Sequence, residues 1–298
     1  MTSMRIIRSD GRELTAADGW QGWLIADGGL DDWLDLDINI TTAANVLTDG
    51  SRLVSKRVEE CERTASILYV GSRDWAEVRD EILSFLSPKH TFKVYVTHAG
   101  RTRWAEGELS ARSVPLEPEG RPCQATFSIL CCDPYLRSED AHEYAFGDST
   151  PGLGWPFVSV SETFVPGVRC PVGFPASVLI YDGINTIHNA GDVTATYTVR
   201  IEADGDLVDP TITKDGTRFV KLVTTLKAGD VAEIDFTKSP PRVEVNGENA
   251  IQKCSRDSSF VGMEMAVGAN TFTFSISNEE NRSLAKVQIL YNDRYMGV

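Results

Sequence analysis

The clearest repeating pattern along the chain is an alternation of apolar and polar residues with a period of two. In residues 34–40, leucine and isoleucine alternate with aspartate and asparagine, and in residues 193–201 apolar residues alternate with threonine and arginine. Such alternation is typical of a β-strand with one buried and one solvated face. Both stretches are therefore predicted as strands whose apolar side packs against a core.

Shorter segments rich in β-branched and aromatic residues predict further strands in both halves of the chain. In the first half they are residues 66–70, 92–97, 103–109 and 124–131, which would form a sheet or split barrel. In the second half they are residues 177–181, 219–226, 231–236, 242–245, 271–276 and 286–291, with turn pairs such as Asn246-Gly247 between them. This spacing predicts two stacked antiparallel sheets.

Helical periodicity occurs in one place. Between residues 74 and 86 the apolar side chains gather on one side at helical spacing; they are Trp75, Val78, Ile82, Leu83, Phe85 and Leu86. Asp74 and Glu77 have the form of a capping box, and Pro88 follows the last turn. The sequence therefore predicts one amphipathic helix that completes the core of the N-terminal domain.

A chain of 298 residues is long enough for two domains. Glycine and proline gather between residues 137 and 175, although a strand at 157–160 could lie inside this region. The predicted division is a domain at 1–137, a connecting region at 138–175 and a β-sandwich domain at 176–298. The predicted fold class is mainly β with one helix.

Charge and composition narrow the possible partners. The formal net charge is −14 without a basic tail, so the chain lacks the cationic patch that gives affinity for nucleic acid. No apolar run is long enough to cross a bilayer or resembles a signal peptide, so neither export nor membrane anchoring is expected. The six cysteines are scattered, which indicates reduced thiols in a protein made in a cytoplasm.

Motifs for catalysis or cofactor binding are missing from the sequence. There is no glycine-rich phosphate loop, no His-Glu-x-x-His and no Gly-x-Ser-x-Gly. The histidines are far apart and are predicted as turn or surface imidazoles; they are His90, His98, His142 and His188. Acid clusters at 31–37 and 204–209 suit turns and solubility better than a calcium loop. No enzyme, cofactor or metal site is predicted, although a glycosidase carboxylate pair leaves no fixed spacing and stays open.

The aromatic residues leave two interpretations open. All the tryptophans precede the C-terminal strands, so a sugar-binding sandwich would have to use Tyr181, Tyr291 or Tyr295, while alternation puts Tyr197 on the apolar side. In the N-terminal half, residues 20–33 combine three tryptophans with glycines. Large aromatics in such a loop either anchor a protein interface or fill the domain core.

Several stretches resemble the distal tail proteins of siphophages. The segment 125–135 ends in Asp133-Pro134-Tyr135, as does the closing strand of that family's first domain. The second half contains, in the family's order, the segments Asn189-Ala-Gly-Asp192, 209–213, 226–230, 245–247, 259–260 and 267–271. The resemblance covers most of the chain, except for residues 137–175.

The resemblance implies a ring-forming belt domain followed by a galectin-like sandwich, with six copies closing into a ring at the phage tail tip. Such a ring would join the tail tube to the hub or tail-associated lysin protein, let DNA pass, and could carry receptor-binding proteins. The protein would be made in the host bacterial cytoplasm and reside in the virion of a phage or prophage. The alternative is a carbohydrate-binding module or lectin-like adhesion protein.

Overall fold

The computed structural model describes residues 2–19, 21–33, 36, 38–45, 49–115, 123–146 and 185–298. The chain divides into two compact units: unit 1 contains Met1–Asp140, Gly191–Val193 and Asp293–Val298, and unit 2 contains Ala141–Ala190 and Thr194–Asn292. The predicted domain boundaries stay predictions, because most of the connecting region lies outside the described residues. The predicted strands at 157–160 and 177–181 lie outside them as well.

Up to residue 140, the described residues form ten strands, one α-helix and a short 3-10 helix at Asp31–Trp33: β1 (Ser3–Arg8), β2 (Glu13–Ala17), β3 (Gly22–Ile25), β4 (Ile38–Ala44), β5 (Ser51–Val58), β6 (Cys61–Val70), α1 (Trp75–Phe85), β7 (Thr91–His98), β8 (Arg101–Ser113), β9 (Cys123–Cys131) and β10 (Leu136–Ser138). From residue 141 onward, the described residues form thirteen strands, with 3-10 helices at Ile251–Lys253 and Glu279–Leu284: β11 (His142–Phe146), β12 (Asn185–Asn189), β13 (Tyr197–Ala203), β14 (Leu207–Val208), β15 (Thr211–Lys214), β16 (Arg218–Lys221), β17 (Thr225–Leu226), β18 (Val231–Asp235), β19 (Arg242–Val245), β20 (Glu248–Asn249), β21 (Gly268–Ser275), β22 (Ala285–Tyr291) and β23 (Arg294–Tyr295).

Unit 1 contains a closed sheet. The strands follow the order β8-β7-β1-β2-β3-β6-β9, and β9 pairs back onto β8, so the sheet returns to its first strand. Gly107 makes this closure possible, because a Cβ at this position would lie only 2.4 Å from the carbonyl oxygen of Leu130 on β9. Closure leaves these strands without a long free edge.

The core of unit 1 is built by alternate residues of these strands. Met4 and Ile6 on β1, like Val94 and Val96 on β7, are fully buried, while their sequence neighbours are half-buried or exposed. Val78, Ile82 and Phe85 on α1 pack into the same core. The helix and the sheet thus bury one shared apolar interior, as the N-terminal pattern predicts.

Helix α1 is capped differently from the sequence prediction. Asp74 occupies the N-cap position, but its side chain makes no capping hydrogen bond, so the predicted capping box is wrong. At the other end, Arg8 donates to the carbonyl oxygens of Ser84 (2.8 Å) and Phe85 (3.1 Å), and Arg112 donates to that of Leu83 (2.6 Å). Guanidinium groups from β1 and β8 therefore satisfy the carbonyls that end the helix.

Unit 2 is a sandwich of two main sheets. One sheet has the order β11-β22-β13-β18-β19-β20, and the other has the order β12-β21-β15-β16. Their inner residues form one core, in which Tyr197 stacks edge-on against Phe272 at 5.3 Å between ring centroids. The predicted fold class is confirmed: the protein is mainly β, with one α-helix in the described part of the chain and a two-sheet C-terminal sandwich.

Two of the predicted strands differ from those observed. The strand predicted at 193–201 begins at Tyr197, because Ala195 before it pairs only with Met265 in an isolated bridge. The strand predicted at 219–226 is split into β16 and β17, since Val223 between them is 56% exposed. Apolar residues at a strand break look the same in sequence as those inside a strand.

Candidate functional site

Strands β4 and β5 form a hairpin, here called the arm, that pairs with no other described strand of unit 1. Nearly every residue of both strands is exposed, on both faces. Ile38 and Ile40 are 52% and 55% exposed, so the predicted burial of the apolar side of residues 34–40 is wrong for the part that the structure describes. The predicted strand is confirmed at residues 38–40, where β4 begins, whereas Leu36 lies outside any strand; nothing within the described chain covers β4.

A β-bulge gathers the apolar side chains of the arm on one face. Ile38 lies opposite Val58, and Thr42 lies opposite Leu53, with the register shifting between Thr41 and Thr42. The extra residue on β5 moves Leu53 onto the face that already carries Ile38 and Ile40. The result is an apolar strip on one side of the arm, formed by Ile38, Ile40 and Leu53, with Lys56 beside Ile40 on the same face.

The opposite face of the arm is polar, and hydrogen bonds link its two strands at the base of the hairpin. Asn39 and Arg57 lie opposite each other, and both donate to Oε1 of Glu59, at 2.8 Å from the Asn39 amide and 2.6 Å from Arg57 Nη2. These hydrogen bonds lower the pKa of the Glu59 carboxyl below its ordinary value, and the bond from Arg57 has the larger effect. The base of the arm is therefore charged and ordered, whereas its strip is apolar.

Arg63 anchors the chain at the foot of the arm. Its side chain is fully buried and donates to the carbonyl oxygens of Trp33 (3.0 Å) and Pro134 (2.8 Å), and its guanidinium lies 5.6 Å from the Trp33 ring centroid. The Trp33 indole in turn donates to the carbonyl oxygen of Thr64 at 3.0 Å. The segments before and after the arm are thereby fastened to one another and to the Asp-Pro-Tyr turn.

Two of the three tryptophans in the stretch at 20–33 pack in the core of unit 1. Trp33 is fully buried, and Trp23 packs partly buried against the same core, with Tyr69 edge-on at 5.3 Å. Gly29 brings this stretch against β6, because a Cβ there would lie 2.4 Å from the Ser66 carbonyl oxygen. Trp20 lies outside the described residues. Of the two interpretations, core packing holds for Trp23 and Trp33.

The tyrosines considered for sugar stacking are engaged elsewhere. Tyr291 packs against the core of unit 2 and donates its hydroxyl to the His188 carbonyl oxygen at 3.2 Å. The Arg103 guanidinium covers the Tyr295 ring at 3.5 Å from its centroid. Tyr197 is fully buried, and Tyr181 lies outside the described residues. Tyr197 therefore has no ring face open to a sugar, and the rings of Tyr291 and Tyr295 already contact His142 and Arg103.

The acidic and histidine residues singled out in the sequence are dispersed. Each acid of the 204–209 cluster has its own lysine: Asp204 pairs with Lys286, Asp206 with Lys227 and Asp209 with Lys221. The four histidines are exposed or half-buried. Across the described ranges, no group of three or more His, Cys, Asp and Glu side chains is placed to hold a metal ion. No helix in those ranges is long and apolar enough to cross a membrane.

The second half of the chain is similar to a known protein family. Residues 190–295, just over a third of the chain, match the family described as "Siphovirus-type tail component, C-terminal domain". The predicted resemblance to siphophage distal tail proteins is confirmed. The matched segment contains every described strand of the two main sheets of unit 2 except β11 and β12, together with residues 191–193 and 293–295 of unit 1.

Solved structures extend the similarity to the whole chain. The Dit protein of phage SPP1, described as a paradigm of the hub adsorption apparatus in phages that infect Gram-positive hosts, matches with a TM-score of 0.63 and 12% identity over 98% of both chains. A chain of the phage P2 baseplate, in its activated conformation with Ca, matches with a TM-score of 0.54 and 8% identity, over 97% of this chain and 98% of that one. At such identities the similarity shows a shared fold. No curated protein sequence matches the chain.

Proposed function

We propose that the protein is a non-catalytic structural component of the phage tail tip, where six copies close into a ring between the tail tube and the baseplate hub. Two findings support this role: the tail-component domain at 190–295 and the full-length fold similarity to proteins of phage hubs and baseplates. The ring would belong to the virion of a phage or prophage-derived particle and would be made in the host bacterial cytoplasm.

The arm is the observation on which ring assembly rests. A two-stranded hairpin is at best marginally stable in water, and this one exposes more than half of the surface of Ile38, Ile40 and Leu53. A neighbouring copy could cover the apolar strip. When one surface of each subunit contacts a different surface of the next, the contacts repeat by rotation, and they close into a ring if that rotation divides a full turn evenly.

The charge of the arm also fits a neighbour of the same kind. Strands β4 and β5 carry Arg52, Lys56 and Arg57 and no acid, whereas the whole chain has a net charge of −14. A basic hairpin in an acidic protein is attracted to the surface of another copy. Apolar contact would supply affinity, and the cations would favour a homotypic partner.

Light scattering at several protein concentrations tests the ring. We expect a species of about six subunits, and we expect Ile40→Ser combined with Leu53→Ser to shift it to monomers with an unchanged circular dichroism spectrum. The matched control is Val223→Ser with Val261→Ser, which removes two exposed valines of unit 2 and should leave the oligomer intact. A wild-type protein that stays monomeric even with tail tube and hub proteins present would contradict the proposal.

Passage of DNA through the ring is supported by the charge of the chain. A net charge of −14 repels the phosphate backbone, so DNA could move past without being held. In a gel-shift experiment at low salt, the assembled protein should not retard duplex DNA. Retardation that weakens steeply with added salt would instead indicate a DNA-binding surface and exclude this part of the proposal.

The partners proposed for the ring are the tail tube protein on one side and the hub or tail-associated lysin protein on the other, with receptor-binding proteins as further candidates. Co-expression of the chain with each neighbour from its tail gene cluster, followed by purification on a tag carried by the neighbour, tests them one at a time. The arm variant Ile40→Ser with Leu53→Ser separates direct binding of one subunit from binding that needs the ring.

A further inference from the structure

Two motifs that carry the family resemblance meet at the last residues of the chain. Asp133 belongs to the Asp-Pro-Tyr turn after β9, and Asp192 ends the Asn-Ala-Gly-Asp segment, 59 positions further along the chain by their numbering. Both lie in unit 1, together with residues 293–298, which we call the clasp. The clasp comes from the far end of the sequence, yet it is part of the first unit.

Backbone pairing makes the clasp the outermost strand of the unit 1 sheet. In β23, Arg294 and Tyr295 lie opposite Arg137 and Leu136 of β10, which in turn pairs with Arg103 and Trp104 of β8. The backbone N–H of Ser138 donates to the carbonyl oxygen of Asp293 at 3.0 Å. Without the clasp, one side of β10 would lose its partner strand.

The Asp133 carboxylate is the main side-chain anchor of the clasp. It accepts hydrogen bonds from the guanidinium of Arg294, from Arg137 Nη2 at 3.1 Å and from the backbone N–H of Tyr135 at 3.3 Å. The Arg294 side chain is only 13% exposed and also lies over the Tyr135 ring at 4.8 Å. A carboxylate shared by two guanidinium groups at a partly buried site holds its partners more firmly than a surface ion pair.

Asp192 and Arg103 hold the clasp on its other sides. The backbone N–H of Asp192 donates to the Arg294 carbonyl oxygen at 2.9 Å, and its carboxylate accepts from the N–H of Met296 at 3.2 Å. Arg103 donates to the Gly297 carbonyl oxygen and covers the Tyr295 ring. Val298 packs against the core of unit 1. The clasp is therefore bound through backbone, charge and apolar contacts at once.

We propose that the clasp completes unit 1, so that this unit reaches its native stability only in a chain that extends to Val298. Asp133 and Asp192 act as positioning residues that dock the clasp and have no catalytic role. The two motifs of the resemblance are thus explained as the two halves of one receptor for the end of the chain. The inference concerns unit 1 itself and holds whether or not the protein forms a ring.

Amide hydrogen exchange, read separately for each unit, tests the clasp. In a chain ending at Asn292, exchange in β10 and in the first half of β8 should rise by about tenfold or more, while β13 and β22 of unit 2 keep wild-type protection. Asp133→Asn and Arg294→Gln should each raise exchange in the same segments to a smaller extent. Combining these two substitutions should add little, since both break the same ion pair.

The control removes a matched ion pair from unit 2. Asp204→Asn disrupts the exposed pair with Lys286 and should leave exchange in β8 and β10 unchanged. Wild-type protection of β8 and β10 in the shortened chain would overturn the proposal, and so would an equal loss of protection in both units. If the shortened chain cannot be purified in folded form, amide exchange of β8 and β10 in the Asp133→Asn and Arg294→Gln variants tests the proposal instead.

Discussion

Strands β4 and β13 have the same kind of sequence and opposite surroundings. Both alternate apolar with polar residues, but Ile40 of β4 is 55% exposed whereas Ile201 of β13 is fully buried between the sheets of the sandwich. Alternation therefore reports the pleat of a strand and the presence of a side that avoids water. It does not tell whether the cover comes from the same chain or from a partner.

The difference between the two strands is clearest in their neighbours. β13 lies between β18 and β22, so both of its edges are hydrogen-bonded and its apolar side faces a second sheet. Among the described strands, β4 pairs only with β5. The exposed apolar strip of the arm is the surface that the proposed ring would bury.

The largest expected effect is the difference in free energy of unfolding between substitutions of Ile201 and Ile40. Ile201→Ala removes buried methylenes from the sandwich and should lower the free energy of unfolding of unit 2 by about 2–5 kcal/mol. Ile40→Ala should change the free energy of unfolding of the dilute monomer by less than about 0.5 kcal/mol. Urea unfolding followed by circular dichroism measures both. A large loss for Ile40→Ala in dilute protein would mean that the arm is covered within its own chain.

Closure of the unit 1 sheet can be tested at Gly107. A Cβ at this position meets the Leu130 carbonyl oxygen at 2.4 Å, so Gly107→Ala forces β8 and β9 apart and should cost about 1–3 kcal/mol. Gly19→Ala is the matched control, because its Cβ would meet only the Leu24 side chain at 3.7 Å. Equal thermal stability of the two variants would contradict this prediction, because it would show that β8 and β9 do not need their close approach at Gly107.

Acid should distinguish a carboxylate of the closed sheet from one of the arm. The Arg8 guanidinium, through hydrogen bonds, holds the pKa of Asp10 far below its usual value, and Arg57 lowers the pKa of Glu59. A carboxyl whose pKa falls on folding stabilises the protein above its unfolded pKa of about 4, and this stabilisation is lost as the pH falls towards the folded value.

Asp10→Asn should therefore flatten the loss of unit 1 stability below about pH 4, measured as unfolding midpoints at a series of pH values. Glu59→Gln should have a smaller effect, because its partner Arg57 is 73% exposed and solvent screens the pair. A steeper acid dependence in Asp10→Asn than in the wild type would contradict this assignment.

The smallest expected effect is a difference in reactivity between two adjacent cysteine thiols at the end of β9. Burial raises the pKa of the Cys131 thiol to about 11, whereas Cys132 beside it is exposed. Brief treatment with iodoacetamide at about pH 8 should label Cys132 and leave Cys131 unmodified until urea is added. Mass spectrometry of the peptide that contains both cysteines reports the result. Labelling of Cys131 in the folded protein would show that β9 opens readily.

Much of the fold could be predicted from local pattern. The helix at 75–85 follows from the spacing of Val78, Ile82 and Phe85, and β7, β8, β9, β18, β19 and β22 lie within a few residues of the predicted strands. The sequence does not predict strands β1 and β2, although Met4 and Ile6 alternate with polar residues, because each strand buries only two apolar side chains. Capping of the helix by Arg8 and Arg112 could not be predicted, because it depends on contacts distant in sequence.

The candidate site was predicted only in part. Alternation predicts the strand at the start of the arm. Its exposure depends on what packs against it, and the spacing of apolar residues does not contain that information. The sequence does not predict the clasp, because six residues are too few to show periodicity. The predicted sandwich domain at 176–298 therefore includes them. Asp133 and Asp192 were noticed as parts of motifs, and their common role appears only when the two ends of the chain are brought together.

The position of the clasp has a consequence for how the protein is made. Domains fold in general as they emerge during translation, the N-terminal one first. Here the strand that finishes the first unit is still held by the ribosome when the second unit has almost entirely emerged. Unit 1 can therefore complete its sheet only after the residues of unit 2 have been synthesised, and a chain cut short before Asp293 would leave this strand out of its first unit.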